Sequence, residues 1–329
     1  AYTPPSGYKS LCTYNLPTPT IQNGANYMAA TLYTGNGSTQ SITNTVNGVS
    51  FAPDFVWMKS RSFAANHILD DSVRGPMKTL FSNNTLAEYT DRGVGSFNSN
   101  GFSITTYNDD TNRNAETYVG WQWKAGGTAV TNTAGSITSQ VSANTTSGFA
   151  VVTYTGTGAA ATVGHGLGVA PSMIIVKSRS SGTLNWPTYH VTQGNSKGCF
   201  LNLTNAVNNQ PNLWNSTTPT STVFSIGIDT ETNTNTATYV AYCFAAIAGY
   251  SAFGSYTGNG SADGPFVYCG FRPRYILTKR TDSASQWRIW DTSRDQYNVS
   301  QYSLIANGSD AEVSGSTFYI DILSNGFKI

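Results

Sequence analysis

Charge is the scarcest commodity in this chain. Only 11% of its 329 residues are charged, 18 Lys and Arg against 17 Asp and Glu, for a net charge of +1. An average soluble domain carries about 25%. So balanced a chain has no electrostatic footprint for nucleic acid or for an anionic membrane. No run of about 18 apolar residues exists, so no transmembrane helix is expected. No lysine- or arginine-led apolar segment opens the chain as a visible export leader. Three histidines are present, none at ligand spacing from a cysteine or a carboxylate pair, which argues against a zinc or transition-metal centre and predicts no cofactor. The four cysteines, Cys12, Cys199, Cys243 and Cys269, lie far apart without a C-x-x-C pair and read as buried thiols rather than a disulfide framework.

What is abundant is Asn, Thr, Ser, Gly (32) and aromatic residues (12%). Apolar runs are short, rich in Val, Ile, Tyr, Phe and Thr, and regularly broken by clusters of Gly, Asn, Ser and Pro. No stretch of the chain sustains a helical period. The chain therefore reads as all-β. Near-continuous runs such as Ile174-Ile175-Val176 suit strands buried on both faces, and alternating ones such as Phe318-Ile320-Ile322 suit strands with one wet face.

Three segments are written alike. They open with Tyr33-Thr34-Gly35-Asn36-Gly37, Tyr154-Thr155-Gly156-Thr157-Gly158 and Tyr256-Thr257-Gly258-Asn259-Gly260. Each continues to a proline, a strand and a lysine at one constant step: Pro53 to Lys59, Pro171 to Lys177, Pro273 to Lys279. An arginine follows at Arg61, Arg179 and Arg280. Asp71, His190 and Asp291 then come at nearly equal spacing from the three lysines. The first two copies close with Tyr118-Val119-Gly120-Trp121-Gln122-Trp123 and Tyr239-Val240-Ala241-Tyr242-Cys243-Phe244. The third has no counterpart before Ile329. The expected organisation is an extended lead-in over 1–26, β-sandwich repeats, jelly-roll-like, over 27–127, 148–249 and 250–329, and a linker over 128–147 with one short strand at Ser136-Ile137-Thr138. The third repeat is expected to be incomplete, the chain a piece of a longer polypeptide, and the missing residues to come from elsewhere.

Motifs that invite chemistry have plainer readings. Gly164-His165-Gly166-Leu167-Gly168 lacks the G-x-G-x-x-G spacing and leads into a strand, so it offers no helix N-terminus to a phosphate. The paired carboxylates Asp70-Asp71 and Asp109-Asp110 resemble a glycosidase pair only in composition, and neighbours on a strand face opposite ways. His67 and His190 sit at related places without a G-x-S-x-G serine. No catalytic residue is therefore expected. Asp71, His190 and Asp291 read as polar structural partners of Lys59, Arg61, Lys177, Arg179, Lys279 and Arg280, the alternative being solvated loop charges. Trp186, Tyr189, His190, Trp214, Trp287 and Trp290 form the candidate ligand-binding set. Exposed, these aromatics could stack on sugars or anchor a protein. The competing reading is core.

Gly164-His165-Gly166-Leu167-Gly168-Val169-Ala170-Pro171 followed by Met173-Ile174-Ile175-Val176-Lys177 resembles a module of tailed-bacteriophage virion proteins, especially marine and cyanobacterial phages. So does Ala241-Tyr242-Cys243-Phe244 running to Tyr256-Thr257-Gly258-Asn259-Gly260. Gly7-Tyr8-Lys9-Ser10-Leu11-Cys12-Thr13 resembles the junction after a SPRY-like domain in such proteins. The resemblance implies a non-enzymatic virion structural protein, a tail fibre, spike or head fibre that contacts host-surface glycan or protein. It implies other virion subunits as partners, a homotrimer, and a location on the virion. A capsid decoration or connector protein and a polysaccharide-depolymerising spike are the alternatives.

Overall fold

A strand carries two faces, and a chain this poor in charge has few polar residues with which to wet the second one. The computed structural model, which describes residues 19–104, 108–315 and 318–329, shows how both faces are used. In the first repeat the strands are β1 (Met28–Thr34), β2 (Gln40–Thr43), β3 (Phe55–Ser60), β4 (Ile68–Asp71), β5 (Val94–Asn98), β6 (Gly101–Ile104) and β7 (Thr117–Trp123). The second begins with β8 (Val130–Asn132) and β9 (Ser139–Asn144), and continues through β10 (Phe149–Thr155), β11 (Ala161–Gly164), β12 (Met173–Ser178), β13 (Pro187–His190), β14 (Lys197–Phe200), β15 (Asn208–Asn209), β16 (Val223–Ile226) and β17 (Thr238–Phe244). The third holds β18 (Phe266–Tyr268), β19 (Tyr275–Lys279), β20 (Trp287–Asp291), β21 (Tyr302–Ile305), β22 (Val313–Ser314), β23 (Asp321–Leu323) and β24 (Gly326–Lys328). Two single-turn helices, α1 (Asp109–Asn112) and α2 (Thr230–Asn233), precede β7 and β17, capped by the side chains of Asn108 and Asp229. The fold is all-β.

The pairings recur from repeat to repeat. One sheet runs β1-β7-β3-β4, and its counterpart contains β10-β17-β12-β13. Thr34↔Thr117 matches Thr155↔Thr238, and Phe55↔Trp123 matches Met173↔Phe244. A second layer, β2-β6-β5, β11-β16 or β18-β24-β23, covers one face of each main sheet. Alternation then splits every main strand. Val56 and Met58 of β3 pack with Ile42, Phe102 and Ile104 in a private core, while Phe55 and Trp57 turn the other way. Ile174 and Val176 of β12 join Val163 and Phe224, while Met173 and Ile175 turn away. Ile276 and Trp290 join Ile322 and Phe327, while Trp287 and Ile289 turn away. The residues that turn away meet in one common core with Trp121, Trp123, Trp186 and Tyr242, fed by all three repeats. This is why the main strands read as continuous apolar runs.

Two expectations about organisation need correction. The stretch 128–147 is no free linker. Its strands β8 and β9 extend the second repeat's sheet, β9 pairing with β10 over Phe149↔Asn144 to Thr153↔Gln140. Ile137 makes only a single parallel bridge, to Val163. The physical reason is Val141, whose side chain is buried in the second repeat's own core. Of the lead-in, only residues from Pro19 onward are described, and Cys12 lies outside them.

The repeats interlock head to tail through one position. His67, Trp186 and Trp287 stand at matching places, in the loop or strand that follows Lys59, Lys177 and Lys279. Each reaches into the preceding member of the ring. His67 Nε2 meets the Ile305 carbonyl at 2.9 Å, Trp186 Nε1 donates to the Phe81 carbonyl at 2.9 Å, and Trp287 Nε1 donates to the Phe200 carbonyl at 2.9 Å. The first repeat thus grips the third, the second the first, and the third the second, so the ring closes. Trp57 Nε1 donates to His67 Nδ1 at 2.8 Å, which leaves Nε2 to carry the proton toward Ile305.

Trp186→Phe retains an aromatic ring and removes the indole donor shared by the buried Phe81 carbonyl and the partly buried Asn84 carbonyl. Urea unfolding of this variant is expected to show a loss of about 1–3 kcal/mol with the m-value unchanged.

Candidate functional site

Ionisable side chains gather at the junctions between repeats. At the first–second junction Arg74 bonds Asp71 and reaches Glu88 at 3.0 Å, Arg179 closes on Glu88 at 2.8 Å, and Tyr242 donates to Asp71 at 2.9 Å. At the third–first junction Arg294 bonds Asp291 and reaches Glu312 at 2.9 Å, Arg61 closes on Glu312 at 2.8 Å, and the Trp121 indole donates to Asp291 at 2.9 Å. Burial opposes ionisation of Asp291. The Arg294 guanidinium and the Trp121 N–H outweigh it and hold that carboxyl below the usual range. The two clusters are copies of one device.

The second–third junction lacks it. Val207 stands where Glu88 and Glu312 stand, as the matching backbone bonds Glu88 N to Arg179 O, Val207 N to Thr281 O and Glu312 N to Arg61 O establish. By the same bonds Thr281, not Arg280, matches Arg61 and Arg179. Arg280 is an exposed residue paired with Asp282. Among the described residues the His190 imidazole bonds its neighbour Thr192 and no ionised group.

The pairing expected for the lysines is therefore corrected. Lys59, Lys177 and Lys279 do not meet Asp71, His190 or Asp291. Their ammonium groups bind backbone carbonyls: Ser60 for Lys59; Thr85, Ser178 and Ser181 for Lys177; Thr204 and Arg280 for Lys279. Burial pushes Lys59 and Lys177 down to about 8. The arginine partners of Asp71 and Asp291 lie one turn further on, at Arg74 and Arg294. That Asp-x-x-Arg spacing, repeated at the same register, was present in the sequence as a signal.

The candidate aromatic set is also redistributed. Trp186 and Trp287 lie in the common core, Tyr189 and Trp214 in the second repeat's core, and Trp290 in the third's. All five are buried. They present no ring face to a sugar and do not converge on one place, so the surface-stacking role does not fit them. His190 is partly exposed, and its ring meets Thr192 and Phe253 rather than the tryptophans of the set. Asp70 accepts from Val94 N and Thr79, and Asp110 from Asn66 N. Among the described residues no three His, Cys, Asp or Glu side chains cluster as metal ligands. Cys199 and Cys243 are buried free thiols and Cys269 is partly buried.

The surface that stands out belongs to residues 250–329. Every large aromatic that is exposed among the described residues lies there: Tyr256, Phe266, Tyr268, Tyr297, Phe318 and Tyr319. β19 is the reason for part of this. β3 and β12 are paired on both edges, whereas among the described residues β19 pairs with β20 alone. Tyr256, the counterpart of Tyr33 and Tyr154, is 44% exposed where Tyr154 is 4%.

These features define an all-β protein whose three repeats close around a shared aromatic core and whose third repeat keeps an open sheet edge beside exposed aromatics. Comparison with curated proteins and with solved structures finds no match. The chain belongs to the family described as Domain of unknown function (DUF7483), whose family model matches residues 23–329.

His67 is the titratable group at the heart of the ring. Burial, with Lys59 nearby, holds it well below its ordinary value near 6.5. The folded state keeps it neutral while the unfolded chain protonates, so its stability contribution is full above pH 6.5 and shrinks as pH falls below it. Denaturation midpoints measured from about pH 7.5 to about pH 4.5 are expected to fall more steeply for wild type than for His67→Gln. Separately, Arg294→Met leaves the buried Asp291 carboxylate without its cation, while Glu312 keeps Arg61, and is expected to cost about 3–5 kcal/mol in the same measurement.

Proposed function

We propose that this protein is a non-enzymatic structural component of a tailed-phage virion, of the fibre or spike kind. In this reading it works outside the cell as a homotrimer and contributes to recognition of a host-surface glycan or protein. The observation that carries the reading is the segregation of its aromatics. Among the described residues most are spent on internal cores, and those left exposed gather on residues 250–329. An amphipathic aromatic surface with little charge suits sugar stacking and protein anchoring alike. The interlocked ring adds a physical reason. A protein that must persist outside a cell needs slow unfolding, and contacts closed between first and last repeats must break together.

The open edge of β19 favours one second reading, a connector or decoration protein whose partner is another virion subunit. A depolymerase has less support, because Asp70, Asp71 and Asp110 already serve as acceptors for Thr79, Tyr242 and Asn66.

Fluorescently labelled protein is expected to bind host cells saturably and to compete with phage adsorption. Tyr268→Ser combined with Tyr297→Ser, both at exposed positions, is expected to leave the melting temperature unchanged and to weaken cell binding at least tenfold. Binding to purified virion shells with none to cells would transfer the assignment to the connector reading.

A further inference from the structure

A ring held at three junctions opens first at the weakest of them. All three junctions share one main-chain bond, in which the N–H groups of Glu88, Val207 and Glu312 donate to the carbonyls of Arg179, Thr281 and Arg61 at 2.8, 2.9 and 2.8 Å. Two of them add charge to that frame. Arg179 meets both carboxylate oxygens of Glu88, and Arg61 both of Glu312. Tyr242 reaches across to Asp71, and Trp121 to Asp291.

The second–third junction has the frame without the charge. His190, Val207 and Thr281 stand at the places of the aspartate, glutamate and outer arginine, and Gln193 stands where Arg74 and Arg294 do. Among the described residues no ion pair crosses this junction. The hydrogen bonds that cross it, the turn Ile247–Ser251 aside, end on backbone carbonyls: Lys279 and the Ser285 amide on Thr204, Trp287 on Phe200, and the Val207 amide on Thr281. The stretch of chain that joins the two repeats, 245–265, includes Gly249 at φ +77°, and Gly254, where an added Cβ would meet nothing within 4 Å. It can swing without breaking a packed side chain at either glycine.

The seam also contains its own reporter. Cys199 is a buried free thiol on the second repeat's side. It lies in the common core, next to Phe200, whose carbonyl takes the Trp287 N–H. Cys243 is buried in the second repeat's private core, which the third repeat does not enter. Separating the second and third repeats uncovers Cys199 and leaves Cys243 covered.

We propose that the ring is built to open at the second–third junction, with the third repeat moving as one unit with the first and 245–265 serving as the tether. The two charged clusters stay closed during this motion. The faces of the common core uncovered are those of Cys199 and Leu201 on one side and Trp287 and Ile289 on the other. Local opening of this kind takes less free energy than global unfolding, because only one of the three contact sets breaks.

The test uses the full chain under native conditions. Protection against hydrogen exchange is expected to be at least tenfold lower at the Val207 amide than at the matching amides of Glu88 and Glu312. Pulse labelling with N-ethylmaleimide, read peptide by peptide by mass spectrometry, is expected to modify Cys199 while Cys243 stays unmodified. Val207→Glu combined with Thr281→Arg rebuilds the outer ion pair on an existing backbone bond and should slow labelling of Cys199 about threefold. Trp287→Phe removes the indole bond across the seam and should speed that labelling, with the protection of Glu88 and Glu312 unchanged. Equal protection at the three amides overturns the proposal, as does labelling of Cys199 and Cys243 at one common rate, which would mean global unfolding. Loss of protection at Glu312 together with Val207 also overturns it, because the third repeat would then be leaving the first as well as the second. A Cys199 rate that neither variant changes overturns it too.

Discussion

Everything in this molecule depends on burying the second face of three sheets at once. Each repeat has a private core on one side of its main sheet, formed by residues such as Val56, Ile174 and Ile276. The other side carries Phe55, Trp57, Ile175 and Ile289, which an isolated repeat would leave exposed to water. Apolar area stabilises burial by about 25 cal/mol per Å². The sheets satisfy one another by meeting in a common centre, and Phe55 stacking on Tyr242 at 4.2 Å shows how closely two repeats approach.

The shared core creates a polar problem that the junctions solve. Indole N–H groups and backbone carbonyls at the edge of an aromatic centre cannot remain unpaired without cost. Trp186, Trp287 and His67 answer carbonyls of the neighbouring repeat, and Trp121 and Tyr242 answer Asp291 and Asp71. Two Asp–Arg–Glu–Arg clusters hold a notable share of the few charges the chain possesses. Low overall charge and buried ion pairs are thus parts of one arrangement: charge is placed where it links repeats and is otherwise sparse.

The third junction departs from the pattern in a consistent direction. His190 replaces the aspartate, Val207 the glutamate and Thr281 the arginine, and among the described residues no strand on the second edge of β19 brings in a tyrosine or tryptophan to reach across. A charge cluster there would lack the indole or phenol that completes the other two. The loss of charge and the open edge are therefore two aspects of the same difference, which leaves the third repeat as the accessible and aromatic part of the surface.

Sequence alone determined the strand class, the three repeats and their register, because strand periodicity and turn chemistry are local. The proline-to-lysine step and the Tyr-Thr-Gly turn could be aligned without any knowledge of packing. What Trp186 or Trp290 touches was not legible, since a tryptophan beside a turn reads the same whether the next repeat covers it or water does. The lysine partners are hidden for a related reason: they include carbonyls such as those of Thr85 and Thr204, supplied by the neighbouring repeat and invisible to any side-chain pattern. Only the tertiary structure brought three second faces together. In doing so it decided which aromatics became core, which charges became pairs, and which sheet edge stayed open.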